Sequence, residues 1–383
     1  MKRTIWKLLC CFLLLIATVL CCAVNVMAEP PQKETVFAMS TYFTDLISPG
    51  GDSEDLYESQ PVLSPEALEG LEVTVGGMPF GVRFFTDGVT VVGFCDVETE
   101  KGQVNPAAVA GLRAKDVILA VGGETLSGAS DLTERIEASR GKPLSLVCRR
   151  GGKEFKTTLT PAYCPAEARY KTGIWVRDSG AGIGTVTFIL PETGAFAGLG
   201  HGICDADTGA LIPMKRGTVS NVTISSVVKG EAGSPGELKG YFNAGKTGAL
   251  LGNGTCGVWG VFSELPRGAS ETVPVGLCDD LCEGDAYILS TLDNNKIERY
   301  DVKISDINRD AKGSKCFRVS VTDPDLLARS GGIVQGMSGS PIIQNGKLVG
   351  AVTHVLINGP TTGYGIFIEN MLNAANIPLA KAS

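Results

Sequence analysis

The stretch Gly331-Gly332-Ile333-Val334-Gln335-Gly336-Met337-Ser338-Gly339-Ser340-Pro341-Ile342-Ile343 sets a serine between two glycines, immediately ahead of an apolar, strand-like run. Glycines on either side let the chain turn sharply, expose the Ser338 hydroxyl and aim the amides of Gly336 and Ser338 at one spot. Upstream and downstream of this turn, residues 162–383 are rich in glycine and carry short apolar runs at 184–190, 219–228 and 347–355. Regular short strands with glycine turns predict a barrel or sandwich and not a helical bundle. Only 369–375 reads as a helix in this half.

A serine hydroxyl is a poor nucleophile at neutral pH and needs a base within hydrogen-bond reach and donors for the oxyanion it creates. The whole chain holds two histidines, His201 and His354. His201 lies in the glycine loop Gly198-Leu199-Gly200-His201-Gly202-Ile203, after a strand-like run, where a partner can approach closely. His354 lies in the run Val352-Thr353-His354, joined to Ser338 by two strands and a short turn, which favours a wall of the substrate pocket over the base position. Candidate orienting carboxylates are Asp205, Asp207, Asp301, Asp306, Asp323 and Asp325, and spacing selects none of them.

Lys2, Arg3 and Lys7, the apolar run 8–24 and Val26-Met27-Ala28 have the three-part form of an export signal. Residues 1–28 are therefore expected to be a signal peptide or, uncleaved, a membrane anchor, and residues 29–62 a polar tether. Without that leader the chain has 31 basic against 41 acidic residues, a balance that argues against nucleic acid as a partner. No metal or cofactor is expected. Cys278-x-x-x-Cys282 lacks a second ligand pair and reads as two buried thiols, and Gly180-Ala181-Gly182-Ile183-Gly184 leads into a strand, not a phosphate-binding helix.

In the first half, Asn105-Pro106-Ala107-Ala108-Val109-Ala110-Gly111-Leu112-Arg113-Ala114-Lys115-Asp116-Val117-Ile118-Leu119 resembles the most recognisable segment of a PDZ domain. A helix follows at about 131–139, with Asp131 and Glu134 spaced as a capping box and Leu132 and Ile136 on one face. The resemblance implies a PDZ-like domain over 63–161 that binds a peptide by strand addition, with Phe80, Gly81 and Val82 in its carboxylate loop. Pro161 and Pro165 mark the boundary to a peptidase-like domain at 162–383.

Together, the leader, the PDZ-like region, Gly-His-Gly-Ile and the serine segment resemble the stage IV sporulation protein B family of signalling serine peptidases. That resemblance implies His201, Asp323 (in Val321-Thr322-Asp323) and Ser338 as a catalytic triad, with Gly336 and Ser338 as the oxyanion hole. The order His-Asp-Ser then implies a mostly β chain with a chymotrypsin-like double β-barrel after the PDZ-like domain. In such a barrel Val352, Thr353 and His354 would line the specificity pocket. Met337 departs from the aspartate usual before the serine in chymotrypsin-like enzymes. Also implied are self-cleavage, cleavage of a membrane-associated regulator leading to sigma-factor activation during sporulation, and export to the space between forespore and mother cell. The contrasting expectation is a catalytically inactive, PDZ-containing binding or scaffold protein.

Overall fold

The computed structural model describes residues 63–375 apart from 207, 267–270 and 294–295, together with the backbone of the short strand Thr35–Val36. The expected leader and most of the tether lie outside the described residues. Among the described residues no helix is long and apolar enough to cross a membrane.

Strand Pro79–Phe94 begins with a period-two pattern in which Val82, Phe84 and Thr86 are buried while Arg83 and Phe85 face out. Residues 79–86 pair on one side with 179–185 of strand Ile174–Ile189 and on the other with strand Met214–Val228. Ile174–Ile189 continues the sheet to Ala195–Gly198, then to Gly257–Phe262 and Gly248–Gly254. The last of these returns to Met214–Val228 and closes a six-stranded ring. Its interior is aromatic: Phe80 meets Phe196 edge-on at 5.7 Å, and Phe196 stacks on Phe262 at 4.3 Å.

A second closed barrel follows, in the order Gly284–Ser290, Glu298–Ser305, Phe317–Val321, Gly359–Phe367, Lys347–Leu356 and Pro341–Gln344. Helix Ile368–Ala375, expected at 369–375, packs Ile368, Met371 and Leu372 into the adjoining core. The double β-barrel expected for 162–383 is therefore present, but it starts earlier than expected.

The PDZ domain is an insertion between two strands of the first barrel. Residues 89–94, the far half of Pro79–Phe94, pair with Val117–Val121 and with 174–177, the near half of Ile174–Ile189. Val117–Val121 continues to Leu144–Arg150 and Lys153–Leu159. A separate core forms from Val89, Val91, Ala107, Leu112, Ile118, Leu132, Ile136, Leu146 and Leu159. Helix Ala129–Ala138 buries Leu132 and Ile136 as expected, although Asp131 pairs with Arg135 and Ser127 and does not cap the helix. Two 16-residue strands are thus shared by barrel and PDZ domain. The expected boundary at 161/162 is corrected accordingly: Pro161 and Pro165 flank a hairpin of Ala162–Cys164 with Arg169–Lys171, and the return to the barrel comes at the register shift between Arg177 and Ser179.

The assignment of Phe80, Gly81 and Val82 to a peptide-binding loop is also corrected. All three are buried in the barrel strand and bonded to neighbouring strands on both edges, which leaves no free edge for a peptide. Gly81 is small for packing reasons, since a Cβ there would sit 1.7 Å from the Phe242 ring. The segment Gly180-to-Gly184 is likewise strand. Cys278 is half-buried and Cys282 exposed, so the pair is not the buried one expected.

Candidate active site

Helix Pro324–Ser330 ends at Gly331, whose φ of +77° starts a crossing segment toward the barrel interface. Gln335 is held there by two backbone bonds, its amide to Gly236 and its carbonyl from Leu238. Gly336 (φ +98°) and Gly339 (φ +94°) then turn the chain through conformations that side chains disfavour, burying Met337 and leaving Ser338 half-exposed. The Ser338 hydroxyl donates to the Thr353 carbonyl at 2.7 Å. The Met337 amide donates to Val334 and the Gly339 amide to Val352, whereas those of Gly336 and Ser338 donate to no protein group among the described residues. Two amides are left available at the serine, as an oxyanion site requires.

His201 follows strand Ala195–Gly198 through Leu199 and Gly200, both left-handed at φ +66° and +68°. A Cβ on Gly200 would lie 2.8 Å from the Thr353 side chain, so the histidine loop runs directly against the residue that receives the Ser338 hydrogen bond. The imidazole is buried, with Nδ1 3.0 Å from the Gly202 carbonyl. A carbonyl can only accept, so the proton sits on Nδ1 and Nε2 keeps its lone pair. Burial pushes the His201 pKa down from its ordinary value of 6.5, which keeps the ring a neutral base at pH 7. His354 lies against it, ring centroids 4.8 Å apart. Burial, then His201, then Lys315 push the pKa of His354 down to about 2.

The sequence placed Val352, Thr353 and His354 on a pocket wall, and the first two are corrected. Val352 belongs to the barrel core, and the Thr353 hydroxyl is buried and donates to the carbonyls of Ser314 and Tyr364. Residues 348–353 of this strand are buried without alternation, so neither side chain turns outward. Of the three, only His354 is incompletely buried, and its ring borders the candidate base.

Asp323 is not brought to His201. It caps helix Pro324–Ser330: Oδ1 accepts from the Leu326 amide at 2.9 Å and Oδ2 from the Asp301 amide at 3.3 Å. The sequence carried this signal, since an aspartate followed by proline at the first helical position is a helix start. Among the other candidates, Asp205 pairs with Arg177, Asp301 with Arg299, Asp306 with Arg318 and Asp325 with Arg329. Asp207 lies outside the described residues. Among those described, Nδ1 of His201 donates to a backbone carbonyl and not to a carboxylate. Changing Asp323 to alanine is expected to cost about 1 kcal/mol of stability through the lost cap, measured by urea unfolding. Asp323→Asn keeps the cap and is expected to leave labelling of Ser338 by a fluorophosphonate within about tenfold of wild type. A fall of about 10⁴-fold, the scale of a lost triad aspartate, would return Asp323 to the triad.

Sequence reading missed two threonines. Thr185 Oγ1 donates to the Gly336 carbonyl at 2.8 Å, the Thr185 amide to the Ser338 carbonyl at 2.9 Å, and Thr187 Oγ1 to the Gly339 carbonyl at 2.8 Å. Both side chains are buried. Hydroxyls in the otherwise apolar run 184–190 were the only sequence signal, and it names no partner.

The SpoIVB peptidase S55 family matches residues 168–372, and a PDZ domain matches 105–150. The putative serine protease HhoB of Synechocystis is 37% identical over 106 residues, covering 27% of this chain and 23% of that protein. The probable protease eep of Enterococcus faecalis is 30% identical over 139 residues, covering 34% and 33%. The chain thus spans a third or less of the length of these curated relatives. Among solved structures, the HtrA-type protease AlgW with decapeptide aligns at a TM-score of 0.32 and 11% identity, covering 78% of this chain and 63% of that one. The Rv3671c protease of M. tuberculosis in its active form aligns at 0.26 and 15%, covering 52% and 76%. With more than half of its residues matched by the family, this chain belongs to the SpoIVB peptidase S55 family.

Proposed function

We propose that the protein is an exported serine endopeptidase using Ser338 as nucleophile and His201 as general base. The observation that carries this reading is the meeting of two segments at Thr185 and Thr353: a turn that leaves the Ser338 hydroxyl half-exposed beside two available amides, and a glycine loop that carries a buried histidine whose Nε2 holds a lone pair. In the reaction the Ser338 hydroxyl turns from the Thr353 carbonyl toward Nε2 of His201 and gives up its proton as Oγ attacks the scissile carbonyl. The Gly336 and Ser338 amides bind the oxyanion of the tetrahedral adduct. His201 returns the proton to the leaving amine as the C–N bond breaks, and water then repeats the sequence to release the acyl group. The Gly202 carbonyl takes the orienting place that a carboxylate fills in a triad.

The substrates proposed are the chain itself and a membrane-associated regulatory protein whose cleavage leads to sigma-factor activation in sporulation, met in the space between forespore and mother cell. The PDZ domain is proposed to hold a peptide segment of a protein partner, and residues 1–28 provide the membrane contact where they remain attached. Full-length protein is expected to shorten itself on incubation, while Ser338→Ala stays intact on the same gel. Equal processing of the two would overturn the peptidase reading in favour of a binding protein.

A further inference from the structure

We propose that Thr185 is a positioning residue for the oxyanion hole, holding the Ser338 amide in place through the two peptide planes on either side of it. The inference rests on the peptidase reading and extends it to a residue of the first barrel, 151 positions before Gly336.

The Ser338 amide belongs to the peptide between Met337 and Ser338, so its direction follows from the two neighbouring peptides. The preceding plane, Gly336 to Met337, is fixed at both ends: its carbonyl accepts from Thr185 Oγ1 and its amide donates to Val334. The following plane, Ser338 to Gly339, is fixed the same way, its carbonyl accepting from the Thr185 amide and its amide donating to Val352. A single residue supplies one hold on each plane. The hydroxyl matters most at the first, because Gly336 at φ +98° has no Cβ and rotates its following peptide more easily than any other residue. Without the hydroxyl, the Gly336 carbonyl has no partner among the described residues at a buried position and gains by turning toward one, and the Ser338 amide turns with it.

The same residue reaches the histidine loop. The Thr185 carbonyl accepts from the Leu199 amide at 3.2 Å, two residues before His201, and lies 2.0 Å from where a Cβ on Gly339 would sit. Thr185 thus touches the segments carrying both proposed catalytic side chains. Thr187 makes a comparable buried bond to the Gly339 carbonyl, in a peptide whose amide belongs to Ser340 and donates to Met337. It holds the turn but neither oxyanion amide, which makes it an internal control.

The experiment uses full-length protein and a fluorophosphonate probe, with saturation kinetics separating the reversible constant Ki from the covalent rate kinact. Thr185→Val, close in size and lacking the hydroxyl, is expected to lower kinact about tenfold to a hundredfold with Ki within about twofold, less than the loss of an oxyanion donor outright. Thr185→Ser is expected to restore the rate to within about threefold, and Thr187→Val to leave it within about threefold. A Thr185→Val rate equal to wild type would overturn the inference while leaving the peptidase reading intact. Equal losses in Thr185→Val and Thr187→Val, tracking their melting temperatures, would reduce Thr185 to a structural role and also overturn it. Wild type that labels no faster than Ser338→Ala would overturn the peptidase reading and this inference with it. Should the valine variant not fold, Thr185→Ala compared with Thr185→Ser reads the same difference.

Discussion

His201→Ala is expected to slow fluorophosphonate labelling of Ser338 by about 10⁴-fold or more, the scale on which a serine peptidase loses its general base. The physical reason is the tautomer: the Gly202 carbonyl holds the proton on Nδ1 and leaves Nε2 as the acceptor. Among the described residues no other histidine but His354 is present, and its pKa is pushed down to about 2, making it a weak base. The pH profile gives a second reading of the same group. Burial lowers the pKa of His201 below its ordinary 6.5, so wild-type labelling should stay level through 6.5 and decline only below it, and the decline should be missing in His201→Ala. The sign for stability agrees. The unfolded chain takes up a proton near 6.5 and the folded ring only at lower pH, so this contribution is present above 6.5 and is lost as pH falls below it. Labelling that halves at or above pH 6.5 would contradict the burial argument, and an active His201→Ala protein would remove His201 from the mechanism.

Gly339→Ala is expected to cost about 4 kcal/mol or more, measured by urea unfolding, and to abolish labelling in whatever fraction folds. At φ +94° a side chain is already strained. The added Cβ would also sit 2.0 Å from the Thr185 carbonyl oxygen and 2.5 Å from the Leu199 amide nitrogen. Thr185 is held in a paired strand and the Leu199 amide is bonded to its carbonyl, so neither backbone atom yields cheaply, and losses of this size arise only from a few such mechanisms. Gly346→Ala is the matched comparison, with φ +77° and nothing within 4 Å of its Cβ. It is expected to cost about 1–2 kcal/mol, the strain of a left-handed backbone alone. Similar losses at the two positions would show that strain, and not the close approach of Thr185 and Leu199, governs Gly339.

Much of the site was legible in the residues. Two glycines around Ser338 announced a sharp turn, and the structure gives both a positive φ. Two histidines in the chain limited the choice of base, and the glycine loop around His201 correctly signalled close approach. Asp323 shows the opposite case. It was selected by resemblance, while its local sequence, aspartate before proline at the start of an amphipathic turn, described the helix cap it forms. His354 was read as a pocket wall from the two strands and short turn that join it to Ser338, and the structure brings its ring beside His201.

The insertion of the PDZ domain was beyond local reading. Strands Pro79–Phe94 and Ile174–Ile189 each change partner midway, one half in the barrel and the other in the PDZ domain, without a break in the strand to mark the change. Nothing in the side chains of Phe80, Gly81 and Val82 shows that both edges of their strand are taken. By itself the sequence determined the strands, the glycine turns and the two histidines, because these depend on residues a few positions apart: period-two burial, positive φ and ring chemistry. Tertiary structure alone decided which strands close each barrel, which carbonyl orients His201 and which hydroxyl holds Gly336. Those contacts form only when segments such as 185 and 336 meet, and a buried hydrogen-bonding group is satisfied by whatever the fold brings to it.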